Sequence, residues 1–305
     1  MSQSLTLQAL NRVLSSLDAA RNGPALYALL STLCLTGLLL ASAEAALARQ
    51  ESGWGMAWAA LALLVAFYGV NTTGLLLMDQ SQGRPVRDVR DALRDALGLA
   101  HRVLLCVLAV LILLGLLVAG LTGLLWAARL PAIGQALFTL TVPVGVLLLG
   151  MAALLVALLV GPLTGPAIWS GQGVRDTLAL LRRQARERLP EALVLMAAVL
   201  LLTALASAAV SFVVLTGGRV LALLAIWGAD IDLQPQQLMA ALLGYGLRSL
   251  GASGVPLPET PMSQAAMAGG GVVAALALVL PGLVYLRGCC AVYLVLRDLQ
   301  APDPS

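Results

Sequence analysis

The residues that could do chemistry are few. The sequence holds one histidine, His101, and four cysteines, Cys34, Cys106, Cys289 and Cys290. It contains no Walker loop, no His-Glu-x-x-His, no Gly-x-Ser-x-Gly and no Cys-x-x-Cys. His101 stands where a charged segment meets an apolar run, an interface position rather than a catalytic one. The four cysteines lie inside apolar runs, where a free thiol packs as a small hydrophobe; their similar depth leaves a thiol or metal cluster as the alternative. Asp230 and Asp232 would either bind a cation or cap a helix that starts before Pro235. No catalytic, cofactor-binding or metal-ligating set emerges, so the sequence reads as a non-enzyme.

Arg287 is the most informative single residue. It precedes Leu296 by nine residues, about 14 Å along a helix. If the last apolar run spans to Leu296, this charge is intramembrane and needs a partner or water. Asn71, Thr72 and Thr73 lie at a similar depth and Glu191 opens another apolar run. These five residues would then line a polar cavity, open to the cytoplasm, that accepts an anionic group. If the run ends at Arg287, the charge is interfacial and no cavity is required. Both readings stand.

Composition says what must position these residues. Hydrophobic residues make up 60% of the chain and charged ones 11%, with mean hydropathy +0.94. A soluble chain of 305 residues needs far more polar surface. The expected fold is all-α, a polytopic helical membrane protein with six transmembrane helices. The spans fall at about 25–48, 54–78, 103–126, 137–160, 191–215 and 268–296, each near the roughly 20 residues that cross a bilayer core, in a single integral membrane domain. A cleaved signal peptide is the alternative for the first run, because Leu26–Leu40 precedes Ala41-Ser42-Ala43. The charged region before it is too long for that, and apolar residues continue to Ala48.

Between the spans lie amphipathic helices. Residues 4–21 place Leu10, Val13, Leu14 and Leu17 on one stripe. Residues 84–102 do the same with Val86, Val89, Leu93, Ala96, Leu97 and Ala100, and carry the i,i+4 pairs Arg84/Asp88 and Arg87/Asp91. Residues 174–189 place Val174, Leu178, Leu181, Ala185 and Leu189 together. Each is expected to lie at the membrane surface. Arg84, Arg87, Arg182, Arg183 and Arg186 would there contact anionic lipid of the inner leaflet. The long segment 216–266 is expected outside, with short helices at 219–228 and 236–250 and a connector at Ser253–Ser263.

All eighteen basic residues other than His101 are Arg. With both termini in the cytoplasm, fourteen of them face inward, which is the positive-inside pattern of an inner membrane protein. Trp54, Trp58 and Trp126 then gather at the outer interface. The net charge of +3, with Arg placed beside apolar runs, gives no nucleic-acid surface.

The chain also repeats itself. Thr73-Gly74 corresponds to Thr164-Gly165, and Val86-Arg87-Asp88 to Val174-Arg175-Asp176, about 90 residues apart. A threefold reading makes each unit a helix and two spans, at about 4–79, 84–170 and 174–298. Small faces recur at four-residue spacing, Gly37, Ala41 and Ala45 on the first span and Gly115, Ala119 and Gly123 on the third. They suit helix packing within the bundle or against a second copy or another membrane protein.

Gly74-Leu75-Leu76-Leu77, Gly83-Arg84-Pro85-Val86 and the helix to Ala100 resemble a loose group of bacterial six-span membrane proteins. The group includes the membrane domain that precedes the catalytic domain in some glycerophosphodiester phosphodiesterases. The resemblance implies a helical membrane domain and no chemistry, since the catalytic domain has no counterpart here. Three function classes follow: a scaffold or accessory subunit, favoured by the scarcity of buried polar groups; a transporter or channel for a small anionic solute or lipid headgroup, favoured by the repeats and Arg287; and a lipid-modifying enzyme, disfavoured by the missing His and carboxylate constellation.

Overall fold

The computed structural model describes residues 12–130, 134–228 and 261–299. Every regular element among them is helical. A 3-10 turn, Ser15–Arg21, leads into α1 (Gly23–Ala48) and α2 (Ser52–Ser81). Next come α3 (Val89–Ala127) and α4 (Gly134–Trp169), which passes through one π turn at Val156–Val160. The short α5 (Val174–Glu187), α6 (Leu189–Gly228) and α7 (Pro261–Asp298) complete the described chain. Six of these helices, all but α5, are long and apolar enough to cross a membrane.

Local chemistry sets the ends. Asn22 caps α1, its side-chain oxygen accepting from the Ala25 N–H at 3.0 Å, with Pro24 in the first turn. After α2 and after α4 the chain turns through one shared geometry. Gly83 (φ +67°) and Gly171 (φ +99°) are left-handed, a conformation glycine adopts without a Cβ penalty. The next N–H reaches back five residues, Arg84 to Asp79 at 2.9 Å and Gln172 to Ala167 at 3.2 Å. The glycine N–H closes onto Gln80 and Ile168 in the same way, which satisfies the last carbonyls of each helix. Past this turn the two segments diverge. Val86–Asp88 is non-helical, whereas Val174–Asp176 is already the first turn of α5.

Three segments differ from expectation. Residues 84–102 do not form a separate surface helix. Pro85 and the extended backbone of Asp88 (ψ 151°) delay the helix start to Val89. With no break after that, the charged segment and the third span fuse into one helix of 39 residues, about 58 Å long against a bilayer core of about 30 Å. Residues 219–228 are helical as expected but do not form a separate short helix, because α6 runs unbroken through Gly217 and Gly218 to Gly228, and α7 begins at Pro261 rather than 268. Isolated glycines cost a helix only about 1 kcal/mol each. The expected helix at 236–250, with Asp230 and Asp232, lies outside the described residues.

The third difference is at the N-terminus. Ser16 and Ala19, three apart in the 3-10 turn, share one side and are buried, as is Val13 just before the turn. Leu14 and Leu17, expected on the same stripe as Val13, are exposed instead. The segment is tucked against α7, and Arg12 Nη1 donates to Asp298 Oδ2 at 2.7 Å, tying the two ends of the described chain together.

Burial concentrates at one end of the bundle. Leu75–Met78 of α2, Leu163–Trp169 of α4, Ala192–Val199 of α6 and Cys289–Leu296 of α7 supply the core there. α2 and α7 contribute most to this hub. Away from it the apolar side chains face outward, as Leu113 (69% exposed) and Leu147 (73%) do. In lipid such exposure costs nothing, since acyl chains are as apolar as leucine.

Candidate functional site

The hub is built where α2 crosses the last turns of α4. The indole of Trp169 lies over Gly74 of α2 and beside Gly165 of its own helix. A Cβ on Gly74 would collide with the six-membered ring, and one on Gly165 would stand 2.8 Å from it. The two Thr-Gly pairs picked out in the sequence thus meet at one tryptophan. Absent side chains at these glycines are what admit the ring, the close approach that small residues allow in membrane helices.

A polar belt surrounds this crossing. Trp169 Nε1 donates to Asn71 Oδ1 at 2.9 Å, and Asn71 Nδ2 donates to the Phe67 carbonyl at 2.8 Å. The Thr72 and Thr73 hydroxyls donate to the carbonyls of Tyr68 and Gly69 at 2.8 and 2.9 Å. Thr164 closes onto Val160 in the same manner. Ser170 Oγ and the Tyr293 hydroxyl share a hydrogen at 2.7 Å, linking α4 to α7. Asn71, Thr72 and Thr73 are all buried, and each has an internal partner.

Just beyond the belt, Arg87 clamps the end of α2. Its Nε and Nη2 donate to the two oxygens of Asp79 at 2.6 and 2.8 Å, and its Nη1 to Asp95 of α3 at 2.6 Å. Asp79 is 4% exposed. A buried carboxylate persists only when paired, and two parallel N–H···O bonds are the geometry an arginine fork offers best. Hydrogen bonding to Asp79 in turn holds the Arg87 guanidinium above its ordinary pKa. The expected i,i+4 pair Arg87/Asp91 does not form, because Arg87 precedes the helix and turns back to α2.

The other residues singled out in the sequence lie apart. Arg287 is half-buried on α7; its Nη1 is buried without a hydrogen-bond partner, and Asp18 of the N-terminal turn is the acid that acts on it through space. Glu191 opens α6 with one buried, unpartnered oxygen. Among the described residues no hydrogen bond or ion pair joins either of them to Asn71, Thr72 or Thr73. Arg84 is exposed after α2. Arg183 pairs with Glu187 at 2.9 Å, while Arg182 and Arg186 are exposed on α5 with no described acid paired to them. Among the described residues no three of His, Cys, Asp or Glu come together as a metal site, and all four cysteines are free. His101 is exposed. Gly37, Gly115 and Gly123 face open space rather than a neighbouring helix.

Trp169 and Asp79 are the central residues that pattern reading passed over. Each carried a signal. Asp79 ends an apolar run, and an acid in that position needs a partner. Trp169 follows a Gly-rich segment at the end opposite Trp54, Trp58 and Trp126, where a belt residue would have had its counterpart.

No family model, curated protein or solved structure matches this chain.

Proposed function

We propose that the protein is a non-enzymatic integral membrane scaffold or accessory subunit, held together at its hub and offering the rest of its helices to lipid and to membrane partners. One observation carries this reading. The polar side chains in the middle of the helix crossing are buried and hydrogen-bonded to one another or to their own helices, so they act as internal fastening rather than as the lining of a solute path. The open small faces of α1 and α3 agree with it, since they leave room for a further helix to approach. Anionic lipid is the small-molecule partner class in this reading, met by the Arg residues at the hub end.

A transporter or channel for a small anionic solute or lipid headgroup is the second reading. It is favoured by the unpartnered buried atoms of Arg287 and Glu191. Reconstituted liposomes separate the two. The scaffold reading expects no protein-dependent release of entrapped phosphate, chloride or small organic anions above empty liposomes. Saturable release abolished by Arg287→Gln would replace it with the transporter.

The hub end belongs in the cytoplasm of a bacterial inner membrane in this proposal, because fourteen of the eighteen Arg residues then lie inside. A phosphatase fused after Ser305, active only when exported, is expected to be silent. High activity would reverse the orientation.

A further inference from the structure

α3 and α4 part company beside the hub and enclose a groove with a volume of about 900 Å³. That is near the upper end of the roughly 300–1,000 Å³ typical of small-molecule sites. Its walls are aliphatic. Ala109 to Leu117 supply one side, Ala152 to Val160 the other, and Leu178, Leu181 and Ala185 of α5 the floor. The π turn of α4 forms part of the wall. There the Gly161 N–H bonds to Val156, five residues back, directly before Pro162, which has no N–H to continue the ladder. Beyond the groove the two helices meet again, where Leu121 lies against Gly145.

Among the described residues, the only polar side chains in the lining are those of Arg182 and Arg186. They sit one turn apart on the same face of α5, above Leu178. No described acid lines the groove or pairs with either arginine. Arg183, between them in sequence, turns away and pairs with Glu187. Charge and depth therefore describe an amphiphile. The α3 wall runs from Ala109 to Leu117, eight helical rises or roughly 12 Å, against about 15 Å for half of a bilayer core. Acyl chains standing in one leaflet fit that depth, and the two guanidinium groups stand where the headgroup would be.

We propose that this groove is a specific site for an anionic phospholipid of the leaflet on the α5 side, its acyl chains between α3 and α4 and its phosphate on Arg182 and Arg186. This deepens the lipid-contact part of the proposed function and does not depend on the choice between scaffold and transporter. A lipid held there fastens α5 to the α3–α4 pair.

The test uses the full chain in phosphatidylcholine nanodiscs doped with phosphatidylglycerol, with retained lipid counted by native mass spectrometry after release into mild detergent. The wild type is expected to keep phosphatidylglycerol in preference to phosphatidylcholine. Arg182→Gln with Arg186→Gln should lower the apparent affinity about 25-fold, the conversion of roughly 1 kcal/mol per basic residue at a membrane surface. Ala152→Trp, which fills the groove and keeps both charges, should also remove the bound lipid. Arg183→Gln, which leaves the groove and both of its charges in place, should weaken retention far less than the double variant, and the double substitution to Lys should retain binding, which separates loss of charge from loss of fold. If Arg183→Gln weakens retention as much as the double variant, a diffuse basic surface binds the lipid and the site is overturned, though lipid contact in general survives. If Ala152→Trp leaves retention intact, the acyl chains lie elsewhere and the proposal fails. If no variant changes retention, lipid contact through these arginines falls as well. Mass increments of a second copy in place of lipid would assign the groove to helix docking and overturn it too.

Discussion

Replacing Trp169 with alanine is expected to loosen the whole hub, at a cost of about 3–5 kcal/mol. Trp169 is 9% exposed and sits in the core shared by α2, α4, α6 and α7. Its removal leaves a cavity between Gly74 and Gly165, two residues that cannot fill it because they have no side chains. It also strips Asn71 Oδ1 of its donor at a position where water does not reach, a further penalty of about 1–3 kcal/mol. The loss should appear as a fall of roughly 5–10 °C in the melting temperature of the detergent-solubilised protein. Trp169→Phe keeps most of the ring but not the hydrogen bond and should fall between. Gly74→Leu attacks the same contact from the other side and should resemble Trp169→Ala. An unchanged melting temperature for Trp169→Ala would mean that the crossing does not organise the hub.

The second large effect is an asymmetry between two partners of one ion pair. Removing Arg87 abandons Asp79, whose side chain is 5% exposed, as a buried charge with neither of its two donors. Breaking a buried pair in that way costs about 3–5 kcal/mol. Removing Asp79 leaves an Arg87 whose side chain is 31% exposed and still bonded to Asp95 at 2.6 Å. That guanidinium can rehydrate, so Asp79→Ala should cost well under half as much. The double substitution should then recover part of what Arg87→Ala loses, because the uncompensated carboxylate is gone. Equal single losses that simply add in the double variant would contradict this account. High salt should hardly alter the ranking, since screening acts weakly on buried pairs.

These two predictions rest on contacts that differ in how far the sequence exposed them. The apolar runs were legible because twenty or so lipid-compatible residues leave few alternatives. Apolar length alone puts the first span at about 25–48, and α1 occupies Gly23–Ala48. The break at Gly83 was legible as a turn, since a Gly/Pro stretch between periodic segments ends a helix. What periodicity could not tell was whether a charged helix next to a span is separate from it. Residues 89–102 and 103–127 both have helical periods, and only a break would divide them; Gly98 does not supply one. The same ambiguity hid the continuation of α6 through Gly217 and Gly218.

At the site, the sequence pointed to Asn71, Thr72, Thr73 and the Thr-Gly pairs without showing what joins them. Their partner, Trp169, lies 98 residues from Asn71, and a hydrogen bond of that separation leaves no local pattern. Arg87 was legible as a cation on an amphipathic stretch and therefore as a lipid contact. Its commitment to Asp79 and Asp95 follows from the turn at Gly83, which folds the segment back on α2. The groove depends on a π turn and on the divergence of two helices, both set by Pro162 and by packing at Gly145, beyond what a count of apolar positions reveals.

The most direct test of the central claim, that the polar belt fastens the hub instead of lining a path, is the reactivity of a cysteine placed inside it. Thr73→Cys, in a background lacking the four native cysteines, puts a thiol of nearly the same size at a fully buried position. The protein would be reconstituted in sealed liposomes and treated with a small, charged thiosulfonate reagent on each side in turn. The account predicts no modification from either side at rates that label an exposed control such as His101→Cys. Rapid modification at Thr73→Cys, blocked by an anionic solute, would show an aqueous path through the belt and contradict the scaffold.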